Sequence, residues 1–88
     1  MPKIESGQRF KQAYRDLPPE IQAKVKKALR LLTENVRHPS LQTKPIQGIQ
    51  GVYEARVDQN YRMTYERLPG DIVRMRTVGR HDRALKNP

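Results

Sequence analysis

The sequence predicts an α+β fold in which a helical hairpin packs on one face of a small antiparallel sheet, in the order (β)ααβββ. Three observations carry that prediction. Apolar residues recur with a helical period up to residue 36, then with a period of two from residue 52, and prolines and glycines gather between the two regimes. The 88 residues have room for one domain, 1–88, with a thin core, since so short a chain buries only about 60% of its unfolded surface.

Each element has a local reason. Lys3, Ile4 and Glu5 suggest a short opening strand. Ser6 is a candidate cap for a first helix, in which Phe10, Ala13, Tyr14 and Leu17 share one face. Pro18 and Pro19 stop that helix, because a residue before proline is pushed out of the α region. Pro19 then suits the first turn of a second helix, where Ile21, Val25, Ala28, Leu29, Leu32 and Val36 form an apolar stripe. His38, Pro39 and Ser40 end it, with His38 read as a C-cap contact rather than a catalyst. Residues 41–51 read as loop, broken by Pro45, Gly48 and Gly51.

Three strands follow. Val52–Val57 turns Tyr53, Ala55 and Val57 one way and Glu54 and Arg56 the other. After Asp58, Gln59 and Asn60, Tyr61–Arg67 sets Tyr61, Met63 and Tyr65 against Arg62, Thr64 and Glu66. Pro69, Gly70 and Asp71 turn the chain into Asp71–Val78, with Val73, Met75 and Thr77 on one side and Ile72, Arg74, Arg76 and Val78 on the other. The expected core is Phe10, Tyr14, Ile21, Val25, Leu29, Leu32, Tyr53, Val57, Met63 and Val73. The opposite sheet face is expected to be open and to carry Glu54, Arg56, Arg62, Thr64, Glu66, Arg74 and Arg76.

Composition narrows the function. Lys and Arg total 18 against 9 Asp and Glu, a formal net charge of +9. A field of that sign suits nucleic-acid phosphates, an anionic membrane or an acidic protein partner. Residues 1–44 hold six Lys and four Arg, whereas residues 45–88 hold seven Arg and one Lys. Arginine makes two-pronged phosphate contacts, so the C-terminal half is where a site is expected. Without cysteine there is neither a disulfide framework nor a thiolate metal site, and two distant histidines make no metal centre. No cofactor is expected. No run approaches the roughly 18 apolar residues of a membrane span, and no apolar signal segment follows Met1. The expectation is a cytoplasmic protein. Glycine-rich phosphate loops and serine nucleophile motifs are also missing. His81, in Gly79-Arg80-His81-Asp82, is the histidine placed to exchange protons beside the arginines.

Five segments together resemble the RelE/ParE superfamily of toxins. They are Leu17–Gln22, His38–Leu41, Gly51–Val57, Tyr61–Tyr65 and Val78–Asp82, in order and spread over nearly the whole chain. The resemblance implies the toxin of a type II toxin–antitoxin pair, encoded beside an acidic antitoxin. RelE-like members are metal-independent endoribonucleases that cut messenger RNA on the ribosome; ParE-like members share the fold and inhibit DNA gyrase instead.

Residue by residue, the resemblance implies a catalytic set of Glu54, Arg56, Arg62 and His81. Arg56 matches the second of two basic positions on its strand, while Glu54 stands where the best-known members have a lysine. The pair Tyr61-Arg62 matches a phosphate-binding pair, and His81 matches the position after the last strand. Lys44, Arg74, Arg76 and Arg80 complete the expected RNA- and phosphate-binding residues. Either Glu54 or His81 can be the base and the other the acid. Many members carry an aromatic near the C-terminus to stack on a base; here none follows Tyr65.

Overall fold

A computed structural model describes residues 1–88. The elements are β1 (Lys3–Ser6), α1 (Gln8–Arg15), α2 (Pro19–Glu34), a 3-10 turn (Pro39–Leu41), β2 (Lys44–Pro45), β3 (Val52–Arg56), β4 (Tyr61–Leu68), β5 (Ile72–Arg80) and α3 (His81–Lys86). The sheet has five strands in the order β1-β5-β4-β3-β2. The expected β3–β4–β5 meander is antiparallel, but β1 lies parallel to β5 with Ser6 opposite Met75, so the sheet is mixed. That pairing corrects the expected cap. Ser6 belongs to the strand, Gly7 becomes the N-cap without a side-chain bond, and the Gly7 N–H donates to the Met75 carbonyl.

Pro19 opens α2 as expected, and Ile21, Val25, Ala28 and Leu32 fall at i, i+4, i+7 and i+11, all buried. The core joins them to Phe10, Leu41, Ala55, Met63, Tyr65, Val73, Met75 and Val78. Tyr14, Leu29, Tyr53 and Val57, expected inside, are half-buried and pack against that core. Leu29 stands at the rim of a groove beside Phe10 and Tyr14, which leaves one side of it to water. The Tyr53 and Tyr65 rings stack at 5.5 Å, fastening β3 to the centre of the sheet. Leu32 is 0% exposed, so Leu32→Ala should cost about 2–5 kcal/mol. In a domain of this size that lowers the melting temperature by about 10 °C or more. A calorimetric scan with an unshifted midpoint would place Leu32 outside the core.

The loop expected at 41–51 holds more structure than its breakers suggest. His38 is not the C-cap of α2, a place taken by Asn35; its Nδ1 accepts from the Ser40 N–H and caps the start of the 3-10 turn, which drives Leu41 into the core. Lys44 and Pro45 then pair with Glu54 and Tyr53 as an edge strand, where proline is tolerated.

Strand β5 departs from simple alternation at one place. Thr64 pairs with Thr77 but Tyr65 pairs with Met75, so Arg76 is an extra residue, a β-bulge. The bulge exchanges the expected sides of the next two residues. Thr77 joins Thr64 on the face away from α1 and α2, and Val78 turns into the core.

That second face is not open. A third helix, α3, packs on β4 and β5 and buries Ala84, and the chain beyond it reaches over the sheet. The main-chain oxygen of Pro88 accepts from Thr64 Oγ1 at 3.1 Å and Arg76 Nε at 2.9 Å. No helix is long and apolar enough to cross a membrane.

Candidate functional site

Cross-strand register assembles the site. Glu54 lies opposite Thr64, and Arg56 lies opposite Arg62, all four on the face away from the helical hairpin. Lys44, carried by β2, lies opposite Glu54 on the other side. Glu54 Oε1 is therefore 3.9 Å from both Lys44 Nζ and Arg62 Nε, with its side chain 9% exposed. A carboxylate so enclosed is stabilised by the two nearby cations, and it adds a long electrostatic contact to Arg62.

Arg62 has further anchors. Its Nη1 donates to the carbonyl oxygens of Asp58 at 2.6 Å, Tyr61 at 3.0 Å and Gln59 at 3.5 Å. The turn that offers these carbonyls is itself held by Asp58, whose Oδ1 accepts from the N–H groups of Asn60 and Tyr61. Asp58 Oδ2 reaches Lys24 Nζ on α2 at 3.1 Å. Burial pushes the Asp58 carboxyl up, but the Asn60, Lys24 and Tyr61 contacts outweigh it and hold it below its ordinary value of 3.8. A carboxyl held low in the folded state stabilises the fold above its unfolded value. That contribution is lost as pH falls through the folded value. The stability gap between wild type and Asp58→Asn should therefore be widest near neutrality and close below about pH 4. Parallel melting curves from pH 7 to pH 2 would remove Asp58 from the turn's electrostatics.

Beside this turn, Arg62, Arg80 and His81 line one polar cleft of about 430 Å³ with Gln59, Asn60 and Asp82. The His81 main-chain N–H donates to the Asn60 carbonyl at 2.7 Å, tying the start of α3 to the turn. The His81 side chain remains exposed. Arg80 places its guanidinium carbon 5.8 Å from the centre of the Tyr61 ring, a cation–π contact. The cleft thus offers cations for a phosphate and an imidazole for proton exchange. Arg56 does not line this cleft: its Nη1 lies 3.4 Å from Gln42 Oε1, and its side chain lines a separate concavity with Lys24 and Lys27 of α2.

The even row of four arginines expected from the sequence divides into two groups. Arg74 is held by Glu5 at 3.4 Å and Glu66 at 3.6 Å, and Arg76 by Glu66 at 3.3 Å. These two form an ion-pair network toward the other end of β4, while Arg56 and Arg62 lie beside Glu54. Two features of the site were missed in the sequence reading, helix α3 and the Pro88 oxygen on Thr64 and Arg76. A signal for α3 exists: Asp82 in its first turn and Arg83 and Lys86 in its last complement the helix dipole.

No protein-family profile matches the chain, and no curated protein matches its sequence. Solved structures do. The chain superposes on YafQ from Escherichia coli with a TM-score of 0.75 and 19% identity, covering 94% of this chain and 97% of that one. A RelB–RelE antitoxin–toxin complex from Methanococcus jannaschii matches with a TM-score of 0.75 and 22% identity, over 96% and 99% of the two chains. A RelE–RelB complex from Pyrococcus horikoshii matches with a TM-score of 0.74 and 17% identity, over 94% and 98%.

Proposed function

From the RelE-like fold that these superpositions show, we propose that the chain is the toxin of a type II toxin–antitoxin pair and a metal-independent, ribosome-dependent endoribonuclease that cuts messenger RNA. The observation that carries the reading is the juxtaposition of Arg62, anchored by Glu54, with His81 and Arg80 around one cleft. Solved relatives described as toxin–antitoxin complexes support an antitoxin partner. The charge of +9 calls for an acidic one.

In the reaction the RNA 2′-hydroxyl loses its proton and attacks the adjacent phosphorus, and the P–O5′ bond breaks as O5′ takes up a proton. The products carry a 2′,3′-cyclic phosphate and a 5′-hydroxyl. Negative charge builds on the equatorial phosphoryl oxygens as the phosphorane forms. Arg62 meets that charge already oriented, so no reorganisation is needed during the step, and Arg80 adds a second cation in the same cleft. His81, exposed in the cleft, is the group placed to exchange a proton with the 2′-hydroxyl or O5′. Glu54 is enclosed between Lys44 and Arg62, and it acts by positioning Arg62. Arg74 and Arg76, paired with Glu66 toward the other end of β4, lie outside this cleft and are left out of the step.

The test is primer extension on translated messenger RNA, run beside a gyrase supercoiling assay. Cuts inside ribosome-occupied codons are the expected result. Intact messenger RNA with inhibited supercoiling would install the gyrase reading.

A further inference from the structure

A second cleft, of about 390 Å³, opens between α1 and α3 on the far side of Arg80. Arg9, Arg80 and Arg83 line it, with Tyr61 and Asn87 beside them and Asp16 as its one carboxylate. None of the three arginines is in an ion pair, whereas Arg62, Arg67, Arg74 and Arg76 all are. The Asp16 carboxylate instead accepts from Gln12 Nε2. Three unpaired guanidinium groups around one concavity repel one another, and an anion among them relieves that repulsion. The cleft already accepts an oxygen, because Arg9 Nη2 donates to the main-chain carbonyl of Asn87. Arg80 is a wall of both this cleft and the one holding Arg62 and His81. The two concavities are therefore neighbours on one path.

We propose that the Arg9–Arg80–Arg83 cleft binds the phosphodiester backbone of single-stranded RNA next to the linkage held at Arg62 and His81. The identity of that neighbouring linkage as the one cleaved rests on the nuclease reading; the binding itself does not. Arginine suits the task because its planar fork meets two phosphate oxygens at once. The Tyr61 ring under Arg80 keeps that guanidinium aimed along the path. An acidic peptide is a less apt occupant, since the cleft shares Arg80 with the one that holds Arg62 and His81.

The experiment is fluorescence anisotropy with a labelled 12-nucleotide single-stranded RNA of mixed sequence, titrated from 50 to 200 mM salt. Arg9→Gln/Arg83→Gln should weaken binding roughly tenfold and reduce the log–log salt slope by about 1.4, two phosphate contacts at about 0.7 each. Lys26→Gln/Lys27→Gln removes the same charge from the exposed side of α2 and should leave the slope near that of wild type. Arg83→Gln alone, which breaks no hydrogen bond in the structure, should lose about 0.7 of slope even if the double variant folds poorly. Equal losses in the two double variants would mean diffuse attraction and overturn the proposal. So would wild-type binding by Arg9→Gln/Arg83→Gln, or a wild-type protein that binds poly-glutamate and no RNA. A protein that cuts no messenger RNA but shows the expected slopes would sink the nuclease reading and leave this cleft standing. Ribosomal cuts with unchanged slopes would do the reverse.

Discussion

Arg62→Ala is expected to lower the rate of messenger RNA cleavage by about 100- to 1000-fold, roughly 3–4 kcal/mol of lost transition-state stabilisation. The size follows from how the side chain is held. Glu54 lies 3.9 Å from its Nε, and the Asp58, Gln59 and Tyr61 carbonyls take its Nη1. A donor fixed before the reaction meets the developing charge without reorganising, which is where such donors exceed a mobile surface cation. The same bonds brace the β3–β4 turn, so the variant should also melt earlier. The informative measurement is single-turnover cleavage at saturating ribosomes, below the variant's melting transition. There the loss should fall on kcat, with a modest change in apparent affinity, because other cations share the ground-state phosphate contacts. Arg62→Lys keeps the charge but loses the fork, and should recover only part of the rate. A kcat within threefold of wild type for Arg62→Ala would remove Arg62 from the chemistry.

His81→Ala is expected to cost about 100- to 10,000-fold in the same assay, the usual range for removing a positioned proton-transfer group. Its structural cost should be small. The side chain is exposed, and the bond that ties this residue to Asn60 runs through the main-chain N–H, which alanine keeps. An unchanged melting temperature with a collapsed rate is therefore the expected signature. Imidazole added to the buffer should restore part of the His81→Ala rate and none of the Arg62→Ala rate. Glu54→Gln should fall between wild type and Arg62→Ala, since it loosens the arginine without removing it. A Glu54→Gln loss larger than that of His81→Ala would make Glu54 the proton-exchanging group and His81 a bystander.

The sequence revealed the fold wherever local patterning and tertiary packing agree. The stripe Ile21, Val25, Ala28, Leu32 and the alternation of Tyr53, Ala55, Met63 and Tyr65 are both kinds of evidence at once. Alternation stops being a guide at Arg76, because one bulged residue reverses every later side. Thr77 and Val78 exchange faces there. Strand β1 was suggested by Lys3, Ile4 and Glu5, but its parallel partner is non-local and nothing within residues 3–6 names it. Helix α3 escaped because its two apolar residues, Ala84 and Leu85, are adjacent and set no period. At the site, the arginines and His81 were candidates by residue type and Glu54 by the family resemblance, whereas the acceptors that fix Arg62 are main-chain carbonyls, which any sequence supplies. The pairing of Arg74 and Arg76 with Glu66 follows from strand register, and it separates two of the four face arginines from the cleft.

The central claim is that the cleft around Arg62 and His81 directs an RNA 2′-hydroxyl onto its own phosphodiester. The most direct measurement uses a translated messenger RNA carrying a single 2′-deoxy nucleotide on the 5′ side of a mapped cut. Cleavage at that linkage should vanish while cuts elsewhere in the same message persist, and the remaining products should end in 2′,3′-cyclic phosphates. Undiminished cutting at the 2′-deoxy position would contradict the account, because the attacking oxygen would then come from somewhere other than the RNA.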